Sequence, residues 1–220
     1  MMPQFFSSLR FGTELIYTFL VLILCLVIYY KTKESYQLTK HSGIKYFREA
    51  FLFLGLSYLL RLLFSILILS DIAFDVFIPR KLFLPILIIP LGYLSTMAIF
   101  YLMLSPLRKR LNSKNAILFF HCVAVLLSII SFITGSIFSL LYLQIFLLLI
   151  AVIMVFMMRK KNNKNYTSKI LYPLLVLFWL INLWILRPGP FVPFILKIFF
   201  QILSLIVLFT IYHKVSKWLR

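Results

Sequence analysis

Long apolar runs separated by short polar or basic connections account for almost the whole chain. Seven of them, at about 13–31, 47–70, 84–105, 116–135, 137–158, 170–187 and 192–213, consist mostly of Leu, Ile, Phe and Val. Each approaches the roughly 20 helical residues that cross a hydrocarbon core of about 30 Å. The fourth and fifth runs are separated by little more than "TGSI" at Thr134 to Ile137. The stretch 116–158 is nonetheless too long for one span, and the basic clusters at its two ends require an even number of crossings. The pattern predicts an all-α, polytopic membrane protein, a single bundle of seven transmembrane helices over residues 1–220.

The connections leave no room for a separate soluble domain. The longest, about 32–46, contains "KTKESYQLTKHSG" and is expected to carry a helical extension at the membrane surface before a turn at Ser42 and Gly43. Pro106, Pro188, Pro190 and Pro193 fall at span ends, where proline stops or starts helices. Pro90 falls inside the third span and is expected to kink it. No internal repeat is discernible. The start, "MMPQFFSSLRFGTE", lacks a basic segment followed by a short apolar stretch and a small-residue cleavage site, so the first run is expected to remain as a helix.

Composition agrees: 63% of residues are hydrophobic, 13% charged, and the mean hydropathy is +1.05. The formal charge of +18 would point to nucleic acid on a soluble fold, but here the distribution of the basic residues gives them another use. Seventeen of the 23 Lys and Arg lie in clusters at 31–48, 108–114, 159–169 and 214–220, and only Arg10, Arg80, Lys81 and Arg187 lie in the alternate connections. Short basic loops stay on the cytoplasmic side, which predicts an integral cell-membrane protein with its N-terminus outside and its C-terminus inside. The same lysines suit anionic lipid headgroups rather than nucleic acid. The sequon "NYT" at Asn165 to Thr167 then falls on the cytoplasmic side and is read as chance.

Against this background the polar residues inside the spans stand out. If the second helix enters the hydrocarbon after Glu49, Arg61 lies about 18 Å along it at 1.5 Å per residue, and about 12 Å below the outer boundary. Gln144, Asn182 and Gln201 come to a similar level, with Lys197 one turn above Gln201. Glu14 opens the first helix and Asp71 closes the second. Ser57, Arg61 and Ser65 recur every four residues, and Lys197, Gln201 and Ser204 at four and three, so each set forms one stripe. A charge facing lipid at that depth costs from about 2.5 to over 10 kcal/mol, so such stripes face the bundle. Two readings follow. In the first, Arg61 and Lys197 are neutralised by Glu14, Asp71 and helix carbonyls, and the amides are interhelical adhesive. In the second, two cations facing few acids line an outward-facing pocket, with Asn182, Gln201, Gln144 and Glu14, for a small anionic ligand.

His121, in the fourth helix, has Ser128, Ser131 and Gly135 along its face; it is either a hydrogen-bonded packing residue or a proton or polar relay. Trp179 and Trp184 flank Asn182 and are read as packing, with a pocket wall as the alternative; Trp218 suits an interfacial belt. Cys25 and Cys122 are read as small packing residues. No metal spacing, haem ligand pair, G-x-S-x-G, P-loop or H-E-x-x-H is present, and no acid lies deep in a span, which leaves no recognisable catalytic or cofactor site. The topology is similar to that of rhodopsins and seven-helix receptors generally. That analogy concerns fold alone. Lys197 would need a carboxylate counter-ion to hold retinal, and the third helix, "LFLPILIIPLGYLSTMAIFYLMLS", has none.

The expected function is a non-enzymatic, receptor-like or sensory membrane module with an outer pocket for a small anionic or amphiphilic ligand, coupled to a membrane or cytoplasmic protein partner. The alternatives are a small-solute transporter or channel, and an accessory or scaffold subunit. Polar lining continuing into the inner half would favour transport, a closed inner half the receptor, and full internal pairing of both cations the accessory role.

Overall fold

The computed structural model describes residues 2–40, 42–74, 80–107, 114–134, 137–161, 166–186 and 193–218. They form seven helices and no strand: α1 (Met2–Thr39), α2 (Ser42–Phe74), α3 (Arg80–Leu107), α4 (Lys114–Ile133), α5 (Ile137–Lys161), α6 (Tyr166–Leu186) and α7 (Phe194–Trp218). Helix is what these runs must form, because lipid offers no partner to backbone N–H and C=O groups and only a helix satisfies them within one segment. Each of the seven expected spans overlaps a helix. The expectations resting on the side chains of Asp71, Trp184 and Trp218, on Asn165, Pro188, Pro190 and Gly135, and on the basic residues at 108–110 lie outside the described residues.

Four helices are long and apolar enough to cross a membrane, through Phe11–Thr39, Gly43–Leu67, Leu87–Ser105 and Phe194–Lys217, and shorter apolar stretches occupy Ile117–Ile133, Ser139–Ile150 and Pro173–Asn182. The outward faces stay apolar: Ile16, Phe19, Leu118, Phe119, Tyr142, Phe146, Ile195, Phe199 and Phe209 are exposed. A surface of this kind suits acyl chains and would aggregate in water. The chain is an all-helical membrane protein.

One detail differs from expectation. The helical extension after the first span is present, but the turn comes earlier than Ser42 and Gly43. α1 runs to Thr39, Lys40 takes a left-handed conformation (φ 47°) with its N–H on the Tyr36 carbonyl at 2.8 Å, and α2 starts at Ser42. The left-handed residue closes the helix end as a glycine cap would. Arg48 anchors the extension, its guanidinium 5.0 Å from the Tyr36 ring centre and 5.3 Å from that of Tyr29, with an ion pair to Glu49 at 2.8 Å. α3 runs unbroken as helix through Pro90.

α1, α2, α3, α5, α6 and α7 contact one another in that order and α7 returns to α1, closing a ring; α4 leans on α3 and α5 from outside. Small residues set the close approaches. Gly92 of α3 sits where an added Cβ would lie 3.0 Å from Leu140 Cδ1 and 3.1 Å from Ser128 Oγ, and Gly55 of α2 faces buried Cys25 of α1. Cys25 is the packing residue expected, whereas Cys122 is exposed on the outside of α4.

Candidate functional site

Asn182 holds the interior together. Its Oδ1 accepts from the Tyr17 hydroxyl at 2.5 Å and from the Tyr58 hydroxyl, while its Nδ2 donates to the Phe178 carbonyl at 2.7 Å and to Ser204 Oγ at 3.1 Å. Tyr17 and Ser204 are also 2.9 Å apart. A carboxamide has two donors and two acceptor positions, and here all are occupied. Asn182 thus ties α6 to α1, α2 and α7 and has no hydrogen-bonding capacity left for a ligand. By fixing the Tyr58 hydroxyl it fixes the Tyr58 ring, and the Arg61 guanidinium lies over that ring, 5.4 Å from its centre.

Beside this hub lies a cavity of about 50 Å³, between α2, α3, α5 and α6. Arg61, Ser57 and Tyr58 line it from α2, Ser95 from α3, Gln144 from α5, and Trp179 and Asn182 from α6, with Leu54, Leu91, Leu140, Leu141 and Phe178 as apolar wall. The Ser57 hydroxyl donates to its own helix, to Leu54 O at 2.7 Å, and Ser65 likewise to Arg61 O at 2.9 Å, so the serine stripe is satisfied locally. Gln144 donates through Nε2 to Ser95 Oγ at 2.5 Å, and the Ser95 proton goes to Leu91 O at 2.8 Å, which leaves Gln144 Oε1 as the free atom of the amide. Gln144 Oε1 and Trp179 Nε1 are buried and have no partner. Among the described residues Arg61 has no carboxylate partner. In an apolar wall, an unpaired acceptor, an unpaired donor and an unneutralised cation are each costly, and in native structures such groups call for an occupant.

The remaining expected site residues lie elsewhere. Lys197 forms an ion pair with Glu14 between α7 and α1; the two are 24% and 44% exposed, at the rim of the bundle rather than in the cavity. Gln201 is buried on α7 away from the cavity lining, and its Nε2 is unpartnered. The single polar layer read from helical spacing is therefore three separate features: a rim ion pair, the Asn182 hub and the cavity. Because both partners are partly exposed, Lys197→Met is expected to change stability by no more than about 1 kcal/mol, measured by thermal unfolding in detergent. A larger loss would place the pair in a desolvated setting.

His121 sits between two tyrosines, with Tyr93 Oη 2.8 Å from Nδ1 and Tyr101 Oη 3.5 Å from Nε2, and with the Phe53 ring alongside. Ser128 and Ser131 do not extend it, because their hydroxyls donate to Ala124 O at 2.8 Å and Leu127 O at 2.9 Å. His121 is not among the residues that line Arg61's cavity. Among the described residues no cluster of His, Cys, Asp or Glu could hold a metal ion.

Sequence reasoning missed Tyr17, Tyr58, Ser95 and Ser204 as partners and favoured packing for Trp179. One signal was available. Tyr58 lies three residues before Arg61, on the same helix face and far from the interfacial belts where membrane tyrosines usually sit.

No family model matches the chain, and no solved structure matches it. It is similar to an uncharacterized protein of Archaeoglobus fulgidus, with 27% identity over 223 aligned residues that cover 99% of this chain and 97% of that protein.

Proposed function

We propose that the protein is a receptor-like or sensory membrane module, without catalytic activity, whose interior cavity binds a small anion through Arg61. In this reading the seven helices all cross the bilayer, the N-terminus is outside, and the basic inner surface meets anionic lipid or a protein partner that carries the output. The observation that carries it is the cation itself. Arg61 lines a cavity in a bundle where the other intramembrane cation, Lys197, has an acid and Arg61 has none among the described residues.

Two features favour binding over transport or a purely structural role. Among the described residues, the half of the bundle beyond the cavity is packed with buried Phe47, Phe51, Met97, Phe100, Leu104, Leu208 and Ile211, an apolar filling that favours binding over transport. An accessory subunit held by internal pairing would have both cations matched, and among the described residues Arg61 has no acid. At about 50 Å³ the cavity suits a small ion, not an amphiphile.

The test is thermal unfolding of the detergent-purified protein with inorganic phosphate, hydrogencarbonate, nitrate, chloride and acetate, in the wild type, Arg61→Leu and, as a charge-retaining control, Arg61→Lys. A ligand that binds only the folded state stabilises it by about 2.7 kcal/mol at a hundred times its dissociation constant. At least one anion is expected to stabilise the wild type; Arg61→Leu abolishes the response and Lys197→Met preserves it. A wild type indifferent to every anion sinks the reading.

A further inference from the structure

The cavity specifies more than negative charge. Its two orphan polar atoms are of opposite kinds: Trp179 Nε1 can only donate, and Gln144 Oε1 can only accept. Both side chains are almost fully buried, at 3% and 2% exposed, on facing helices α6 and α5. As placed, the Gln144 amide directs Nε2 to Ser95 Oγ, which gives its own proton to Leu91 O, and leaves Oε1 without a partner. Arg61 adds donors and the positive charge on the third side, from α2.

A fully deprotonated oxyanion or a halide satisfies Arg61 and Trp179 but leaves Gln144 Oε1 facing a lone pair. A cation satisfies Gln144 and is repelled by Arg61. The ligand that matches all three groups carries one negative charge and retains an O–H. A water needs roughly 10–15 Å³, so the cavity volume corresponds to a handful of non-hydrogen atoms. We infer that the cavity selects a small, singly charged oxyanion that keeps a hydroxyl group, of the size of hydrogencarbonate. Its O–H donates to Gln144 Oε1, and its oxygens accept from Trp179 Nε1 and Arg61. This rests on the reading of the cavity as an anion site and adds the identity of the ligand class.

Nitrate and hydrogencarbonate are nearly isosteric, planar and equally charged, and differ in the O–H. Dissociation constants for both are measured near neutral pH by calorimetry in sealed cells, with the intact protein and with Gln144→Met and Trp179→Phe. Hydrogencarbonate is expected to bind about tenfold or more tightly than nitrate, since an unmatched buried acceptor is what nitrate leaves behind. Gln144→Met removes that acceptor while Ser95 stays satisfied by Leu91 O; it should erase the preference by weakening hydrogencarbonate alone. Trp179→Phe should weaken both anions alike. Nitrate binding as tightly as hydrogencarbonate overturns the inference and leaves the anion site standing, as does a preference that persists in Gln144→Met. If neither binds, the cavity holds water only and both readings fall. The comparison on the wild-type protein decides even if a variant fails to fold.

Discussion

Replacing Asn182 by leucine is expected to cost about 2–4 kcal/mol of stability, while the same change at Gln201 should be neutral or slightly stabilising. Both amides are buried in neighbouring helices, at 2% and 4% exposed, so a rule based on residue type and burial would rank them together. Their partners differ. Asn182 joins α6 to Tyr17, Tyr58 and Ser204 on three other helices, and interhelical hydrogen bonds in membranes contribute about 0.6–1.7 kcal/mol each. Its removal also takes the Asn182 acceptor from the buried Tyr58 hydroxyl, which keeps the neighbouring Tyr17 hydroxyl, while Tyr17 retains Ser204. Gln201 instead carries a buried Nε2 with no partner, and an apolar side chain of similar size relieves that desolvation. Reversible unfolding in mixed micelles measures both. Equal costs at Asn182 and Gln201 would mean that the hub does not hold the helices together.

Gly92→Leu should be comparably damaging, at about 3 kcal/mol, for the opposite reason: too much side chain rather than too few hydrogen bonds. Even a single Cβ at Gly92 would lie 3.0 Å from Leu140 Cδ1 and 3.1 Å from Ser128 Oγ. The leucine methyl group can swing aside, so Gly92→Ala is expected to cost about 1 kcal/mol or less. The serine is less free, held by its bond to Ala124 O at 2.8 Å. A full leucine therefore forces α3 away from α4 and α5, and overpacking of this kind typically costs about 1–3 kcal/mol, sometimes more. The displaced groups include neighbours of the cavity, since Leu140 and Ser95 line it, so Gly92→Leu should weaken anion binding as well as lower the melting temperature. A leucine variant that melts with the wild type would show that these helices do not meet at Gly92.

How much of this was legible in the sequence differs sharply between fold and site. The helices and their approximate limits follow from the runs themselves, because a segment of Leu, Ile and Phe in lipid has no stable alternative to satisfying its backbone within one helix. Arg61 stood out for the same reason: an arginine between Leu60 and Leu62 must be explained by something other than lipid. What could not be read was which face of each helix turns inward. In water, the apolar stripe marks the buried side, but here both the bundle interior and its surroundings are apolar, so periodicity carries little information about facing.

Depth along a helix can be counted, and the count put Arg61, Gln144, Asn182 and Gln201 near one level, with Lys197 a turn above, which suggested a layer. Rotation about the helix cannot be counted in that way. It decided that Lys197 meets Glu14 at the rim, that Asn182 spends its whole hydrogen-bonding capacity on Tyr17, Tyr58, Ser204 and its own helix, and that Gln144 and Trp179 share a cavity with Arg61. The chain's chemistry by itself determined that there is a helical membrane bundle with polar groups buried in it, since the solvent enforces helices and penalises stray charge. Only the tertiary structure decided which polar groups are spent on one another and which are left unpaired, because that depends on helix rotation and neighbour order, to which an all-apolar surround is indifferent.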